Sequence, residues 1–387
     1  MIREKIEFTE LGATAELSTF AVEGGVTEQH AILHVEARDE LFASQYERIL
    51  RAEQALLALP QCTGSQTIFK RYFLSDATNQ VEIIKNEKSR TKNEECSSSV
   101  SYIQQAPMDG SKVAAWLYLV HDMDVSDHDG LVIASHNGYG HLWKMGMHEH
   151  KGDSAWQTES LLINYEETLQ RFSATLADNC IRTWFYVRDV DTQYAGMVKA
   201  RRENFAEQGL TKNTHFIAST GIGGLPADTR ALIQLGTYAL IGFEPEQQHY
   251  LYAPTHLNPT YEYGVTFERG TRMDYGDRRH VYISGTASIN NRGEVMHVGD
   301  IVRQTYRMLE NVEALLAEAN TTFDDVMQII VYLRDIGDYA IVSRMFAERF
   351  PDMPYVITLA PVCRPTWLIE MECLAVAPAS NPQFRNF

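Results

Sequence analysis

The chain repeats itself. The stretch TWFYVRDVDTQYAGMVKARRENF in the middle and IIVYLRDIGDYAIVSRMFAERF towards the C-terminus both run strand, Arg-Asp, Tyr, basic amphipathic helix, aromatic. A repeat of this size constrains the fold more than any single motif, because each copy must bury its own apolar face and the copies must then cover one another. The last third reads as a strand pair HVYISGTASIN, a helix GDIVRQTYRMLENVEALLAEAN, a strand VMQIIVYLRD, a helix DYAIVSRMFAERF, and a strand pair YVITLAPVC and WLIEMECLAV. Ile301, Thr305, Met308, Leu309, Val312, Leu315 and Leu316 fall at helical spacing behind Gly299 and Asp300. The order is ββαβαββ. The middle third repeats it from GLVIASHNGYGHLW to ALIQLGTYALIGF, and the first third follows it more loosely from KIEFTELG to KVAAWLYLVH. This is an α+β chain of three tandem modules, over residues 1–125, 126–250 and 251–387. HDMDVSDHDG and FEPEQQHYLYAPTHLNPT mark the boundaries, and KNEKSRTKNEECSSS reads as a solvated loop within the first module.

Composition narrows the function. The 387 residues are 44% hydrophobic and carry a net charge of -17, which opposes a broad nucleic-acid or anionic-membrane surface. A small anionic substrate would then need local arginines. Five cysteines, at 62, 96, 180, 363 and 373, form neither a disulfide framework nor a zinc pattern. They suit a reducing cytoplasm. The N-terminal stretch MIREKIEFTE is charged, and no apolar run reaches the ~20 residues that span a bilayer.

The final strand carries the chemistry. In PVCRPTWLIEMECLAV, Trp367, Ile369 and Met371 point one way, and Leu368, Glu370, Glu372 and Leu374 the other. Two carboxylates on one face suit water, or a pocket beside Cys363 and Arg364 in which an acid transfers protons. Trp367, Leu368 and a second carboxylate would raise the pKa of Glu370 by desolvation and like-charge repulsion. Glu372 reads as structural, paired with an arginine. Arg269 in TFERG and Arg182 in IRTWFYV are either anion clamps or packed salt bridges, and Tyr261, Tyr263 and Tyr282 either hydroxyl donors or core. Arg201 or Arg202 in ARRENF is a further candidate clamp, set against the reading of Lys199, Arg201, Arg202 and Glu203 as the charged face of a helix, which that pattern favours. STGIGG has neither the lysine of a P-loop nor dinucleotide spacing, so it and Ser284-Gly285-Thr286 read as places of close backbone approach. The four histidines of HNGYGHLWKMGMHEH lack companions for a metal site, and Cys363 reads as a pocket thiol without a base.

YISGTASI, GDIVRQTYRMLENVEALLAEA, DDVMQIIVYLRDIGDYAIV and LIEMECLAV resemble the Rid family (reactive-intermediate imine deaminases, also called YjgF or endoribonuclease L-PSP). Rid proteins are homotrimers of a six-stranded sheet backed by two helices, with pockets between subunits. The resemblance implies that three modules in one chain form a pseudo-trimer, as a monomer or a low-order homo-oligomer. In MPYVITLA, Val356 stands where the Rid motif places its carboxylate-gripping arginine after Pro354. ISGTASI with HVGD, VTFERG and VCRPTWLIEMEC further resemble the chorismatases, Rid-like hydrolases that release the enolpyruvyl group of chorismate as pyruvate. This implies Glu370 as general acid/base and Cys363 in the pocket wall, with Arg269 in the family's Phe-x-Arg segment; Arg182, Arg364, Tyr263, Gly285 and Thr286 stand beside them as the candidates around the substrate from the residues themselves, and no cofactor is expected. The alternatives are a Rid-like imine or enamine deaminase with an altered clamp, and a non-catalytic small-ligand-binding or interaction protein.

Overall fold

The structure, a computed structural model, describes residues 1–90 and 98–387. Three sheets follow one another along the chain, and each is built in the same order. The first contains Ile2–Phe8, Ala13–Phe20, Thr27–Val35, Gln66–Leu74, Ser99–Gln104 and Val113–His121, with helices Phe42–Leu57 and Ala77–Arg90. The second contains Asp124–His128, Leu131–His136, Tyr139–His148, Cys180–Val187, Ala218–Gly223 and Ile233–Ile241, with long helices Ser154–Gln170 and Val190–Glu207. The third contains Gln248–Leu251, Gly270–Asp274, Arg278–Ala287, Val326–Leu333, Tyr355–Leu359 and Ile369–Pro378, with helices Ile301–Glu318 and Tyr339–Arg349. In every copy the last strand lies between the third and the fourth, and the fourth and fifth pair in parallel across a helical crossover.

Residue alternation explains the layering. In Val113–His121, Val113, Ala115, Leu117 and Leu119 pack under the helices of the first module. Ala114, Trp116, Tyr118 and Val120 enter a core shared by all three sheets. Aromatic contacts cross that shared core: Phe69 stacks on Trp143 at 5.3 Å, and Tyr238 meets Tyr282 at 5.4 Å.

Short pairings close the three sheets into a ring. Ala106–Pro107 of the first module pairs with Tyr355–Leu359 of the third. Leu225–Pro226 of the second pairs with Ser99–Gln104 of the first. Ile222 of the second bridges Val362 of the third, with Gly223 N–H donating to Pro361 O at 2.9 Å. Each sheet thus covers an edge of the next, which removes three sites of open-edge pairing. The pseudo-trimer is closed within one chain.

Three expectations change. Each module has three strands before its first helix, where two were read in the second and third. Asp124–His128 was hidden because it is an exposed, polar edge strand, and Gln248–Leu251 because it has four residues. HVYISGTASIN contributes one strand, Arg278–Ala287, whose pairing with the last strand slips between Ile283 and Thr286. In KNEKSRTKNEECSSS, helix Ala77–Arg90 continues through the first part, and residues 91–97 lie outside the described residues. No helix among the described residues is long and apolar enough to cross a membrane.

Candidate active site

Glu370 and Glu372 are both buried, 4% and 2% exposed, yet their surroundings are opposite. Glu372 sits where the three modules meet. It accepts from Arg71 Nη1 of the first module at 3.2 Å, and from Arg182 Nη2 at 2.8 Å and Trp184 Nε1 at 2.9 Å in the second. The Thr220 hydroxyl donates to it as well. Arg182 also donates to that hydroxyl at 2.6 Å, and Gly285 N–H reaches it at 2.9 Å. A buried carboxylate with two guanidiniums and an indole N–H is fully compensated.

Glu370 faces a cavity instead. No donor among the described residues hydrogen-bonds to its carboxyl. Burial, followed by the charge of Glu372, pushes it up to about 8, against the opposing pull of Arg182 and Arg269. The slipped register beside it brings Gly285 under the carboxyl: a Cβ on residue 285 would lie 2.2 Å from Glu370 Oε1. The bulge therefore makes the room that the acid occupies.

The cavity lies at the seam of two modules. The second contributes Tyr194, Arg201, Ser219 and Gly221, and the third contributes Tyr263, Arg269, Gly285, Cys363, Arg364 and Glu370. Arg269 is 4% exposed and anchored by Asn258, whose backbone O accepts from Nη2 at 2.9 Å. Its guanidinium lies 5.4 Å from the rings of Tyr263 and Phe267. Arg364 stands over Tyr263 at 5.2 Å and Trp367 at 5.4 Å. Arg201 is 1% exposed; Nη1 reaches Ser219 Oγ at 3.4 Å, and Nε and Nη2 make no hydrogen bond among the described residues. A guanidinium buried with unpaired donors is costly unless an anion occupies the space before it. Burial, followed by the charge of Glu370, pushes the Cys363 thiol up to about 12. It is a protonated wall of the pocket, not a thiolate nucleophile.

Six of the expected site residues converge here: Glu370, Arg269, Cys363, Arg364, Tyr263 and Gly285. Arg182 and Thr286 do not. Arg182 is committed to Glu372 and Thr220, one layer behind the pocket. The Thr286 hydroxyl turns away to donate to Ser284 O at 2.9 Å. Tyr194 was not singled out in the sequence, and Arg201, a candidate clamp there, was assigned to a charged helix face because it stands among Lys199, Arg202 and Glu203. The helix nevertheless buries Met197, Ala200, Arg201, Asn204 and Phe205, so Arg201 lies on the apolar stripe while Arg202 faces out. Among the described residues, no three His, Cys, Asp or Glu converge as a metal would require.

The acid is unique to one module. Tyr332 pairs with Glu370, and the equivalent pairs in the other sheets are Tyr186 with Gln234 and Phe73 with Ala114. Only the third module presents a carboxyl at that position.

The family model described as Endoribonuclease L-PSP matches residues 274–377. A RutC family protein of Pyrococcus abyssi is 35% identical over 98 residues, 24% of this chain and 76% of its own length. The 3-aminoacrylate deaminase RutC of Acinetobacter baylyi is 34% identical over 98 residues, 24% of this chain and 77% of its own. The chain belongs to the Rid superfamily. Its likeness to one solved structure extends well beyond that module: a crystal structure of chorismatase covers 82% of this chain and 96% of its own, with a TM-score of 0.63 at 18% identity. This Rid-superfamily chain is thus chorismatase-like in fold, with further modules preceding the one its sequence relatives share.

Proposed function

We propose that the protein is a hydrolase of the chorismatase type, which removes the enolpyruvyl group of chorismate, or of a related cyclic carboxylate, as pyruvate. The carrying observation is that one cavity holds both Glu370, whose buried carboxyl accepts no hydrogen bond among the described residues and is pushed up to about 8, and Arg201, whose Nε and Nη2 donate to none of them. In the proposed reaction, the acid form of Glu370 gives its proton to the terminal CH₂ of the enol ether, and the ether carbon becomes an oxocarbenium centre. The Glu370 carboxylate then takes a proton from the water that adds there. The hemiketal so formed breaks its C–O bond to the ring, giving pyruvate and the ring alcohol. Glu370 ends protonated again. Arg201 and Arg269 would hold the two substrate carboxylates, with Arg364 at the mouth. Tyr263 supplies a phenol that burial keeps in its O–H form.

A second reading draws on the relative named 3-aminoacrylate deaminase. Protonating the carbon of an enamine uses the same acid and gives an iminium that water opens. The products separate the readings. Incubation with chorismate, following pyruvate and the loss of substrate absorbance, tests the first. Ammonia released from 3-aminoacrylate tests the second. Pyruvate from chorismate is expected, and its absence beside ammonia release would transfer the assignment to the deaminase.

A further inference from the structure

Where the three modules meet, the shared core carries more positive charge than the chain itself neutralises. Arg71 of the first module, Arg182 and Tyr186 of the second and Tyr332 of the third are all fully buried. Glu372 accepts from one nitrogen of each guanidinium, Arg71 Nη1 and Arg182 Nη2. That satisfies the carboxylate but leaves the other edge of each arginine. Arg71 Nε and Nη2 and Arg182 Nη1 make no hydrogen bond among the described residues, and neither do the hydroxyls of Tyr186 and Tyr332.

Sheet register brings these groups together. Tyr186 and Tyr332 hold equivalent positions on the fourth strands of the second and third sheets, and Phe73 holds that position on the first. Arg71, two residues before Phe73, points from the same face. Its guanidinium carbon lies 5.3 Å from the Tyr186 ring and 5.0 Å from the Trp184 ring, and that of Arg182 is also 5.0 Å from Trp184. Each of the four groups lies close enough to the other three to shift their acidity.

The charges do not balance. Two guanidiniums stand against Glu372 alone, because Glu370, the other carboxyl within range of Arg182, is pushed up to about 8 and is uncharged at neutral pH. Burial keeps both phenols in their O–H form. Gln328, at the position of Arg182 on the third sheet, leaves its Oε1 unpaired, which sets one neutral acceptor against five donor atoms. A buried water placed there must also donate, and it leaves the surplus charge untouched. An anion accepts from every side and cancels that charge.

We infer that a small monovalent anion of halide size binds at this junction, between the free edges of Arg71 and Arg182 and the hydroxyls of Tyr186 and Tyr332. Its donors come from all three modules, so the anion is a structural ligand of the closed ring. The inference is independent of the reaction at Glu370.

The test uses the full chain, dialysed into sodium gluconate at neutral pH and titrated with sodium bromide at constant ionic strength. The melting temperature should rise saturably with bromide, since an ion bound only by the folded chain stabilises it. Crystals grown in bromide should show an anomalous peak in contact with Arg71 and Arg182. The double variant Tyr186→Phe/Tyr332→Phe keeps both rings and removes both hydroxyls, and its bromide affinity should fall about tenfold or more. Binding should persist in Glu370→Gln. A melting temperature indifferent to bromide, or ordered water alone at the junction in the bromide crystals, would overturn the inference. So would undiminished affinity in the double variant or loss of binding in Glu370→Gln.

Discussion

Glu370 and Glu372 stand two residues apart on one face of one strand, and four side chains donate to Glu372 while, among the described residues, none donates to Glu370. The strand thus separates a structural charge from a chemical one by its environment alone. Glu372 joins all three modules. Glu370 is left to the cavity, where its neighbour's charge helps to keep it protonated.

Glu372→Gln should therefore be the more damaging change for folding. It leaves Arg71 and Arg182 buried without a counter-charge, and such a loss typically costs about 3–5 kcal/mol. Chemical denaturation of the two single variants should show Glu372→Gln well below wild type and Glu370→Gln at or above it.

Gly285→Ala places a methyl group 2.2 Å from Glu370 Oε1 and 2.9 Å from its Cδ. The carboxyl must swing aside, and a displacement of ~1 Å at a reacting group can cost about a hundredfold in rate. Stability should fall by about 1–3 kcal/mol. Turnover measured beside a melting curve should show activity lost far out of proportion to the folded fraction.

Arg201→Gln removes a buried cation whose Nε and Nη2 make no hydrogen bond among the described residues. Losing one charge-assisted contact to a substrate carboxylate should raise KM by about ten- to a hundredfold. Melting should show stability held or increased. Arg202→Gln, one residue on and exposed, should change neither quantity.

Acidity sets both rate and stability. Glu370 must begin protonated, so kcat/KM should fall as pH rises through about 8. The folded-state value lies above the usual 4.5, so the contribution of this group to stability is complete below about 4.5 and is lost as pH rises through about 8. Glu370→Gln lacks that loss. Melting temperatures of the variant and wild type should diverge across this interval, with the variant gaining relative to wild type as pH increases.

Much of this was legible in the sequence where local pattern decides. Helical spacing around Met308, Val312 and Leu315 located the helix that backs the third sheet, and period-two alternation put Glu370 and Glu372 on one face. What was hidden depends on distant partners. The fate of Arg182 is set by Glu372, 190 residues away, and the ring is closed by two-residue strands such as Ala106–Pro107 that carry no periodicity. Arg201 was obscured by the charges beside it, although its place among Met197, Ala200 and Phe205 was there to be read.

The most direct measurement is pyruvate release from chorismate by wild type and by Glu370→Gln at the same pH and folded concentration. The proton transfers assigned to Glu370 predict steady release by wild type and a rate about 10²- to 10⁴-fold lower in the variant, with the fold intact by circular dichroism. An active wild type matched by Glu370→Gln would contradict the role given to Glu370, and a wild type that releases no pyruvate would contradict the reaction itself.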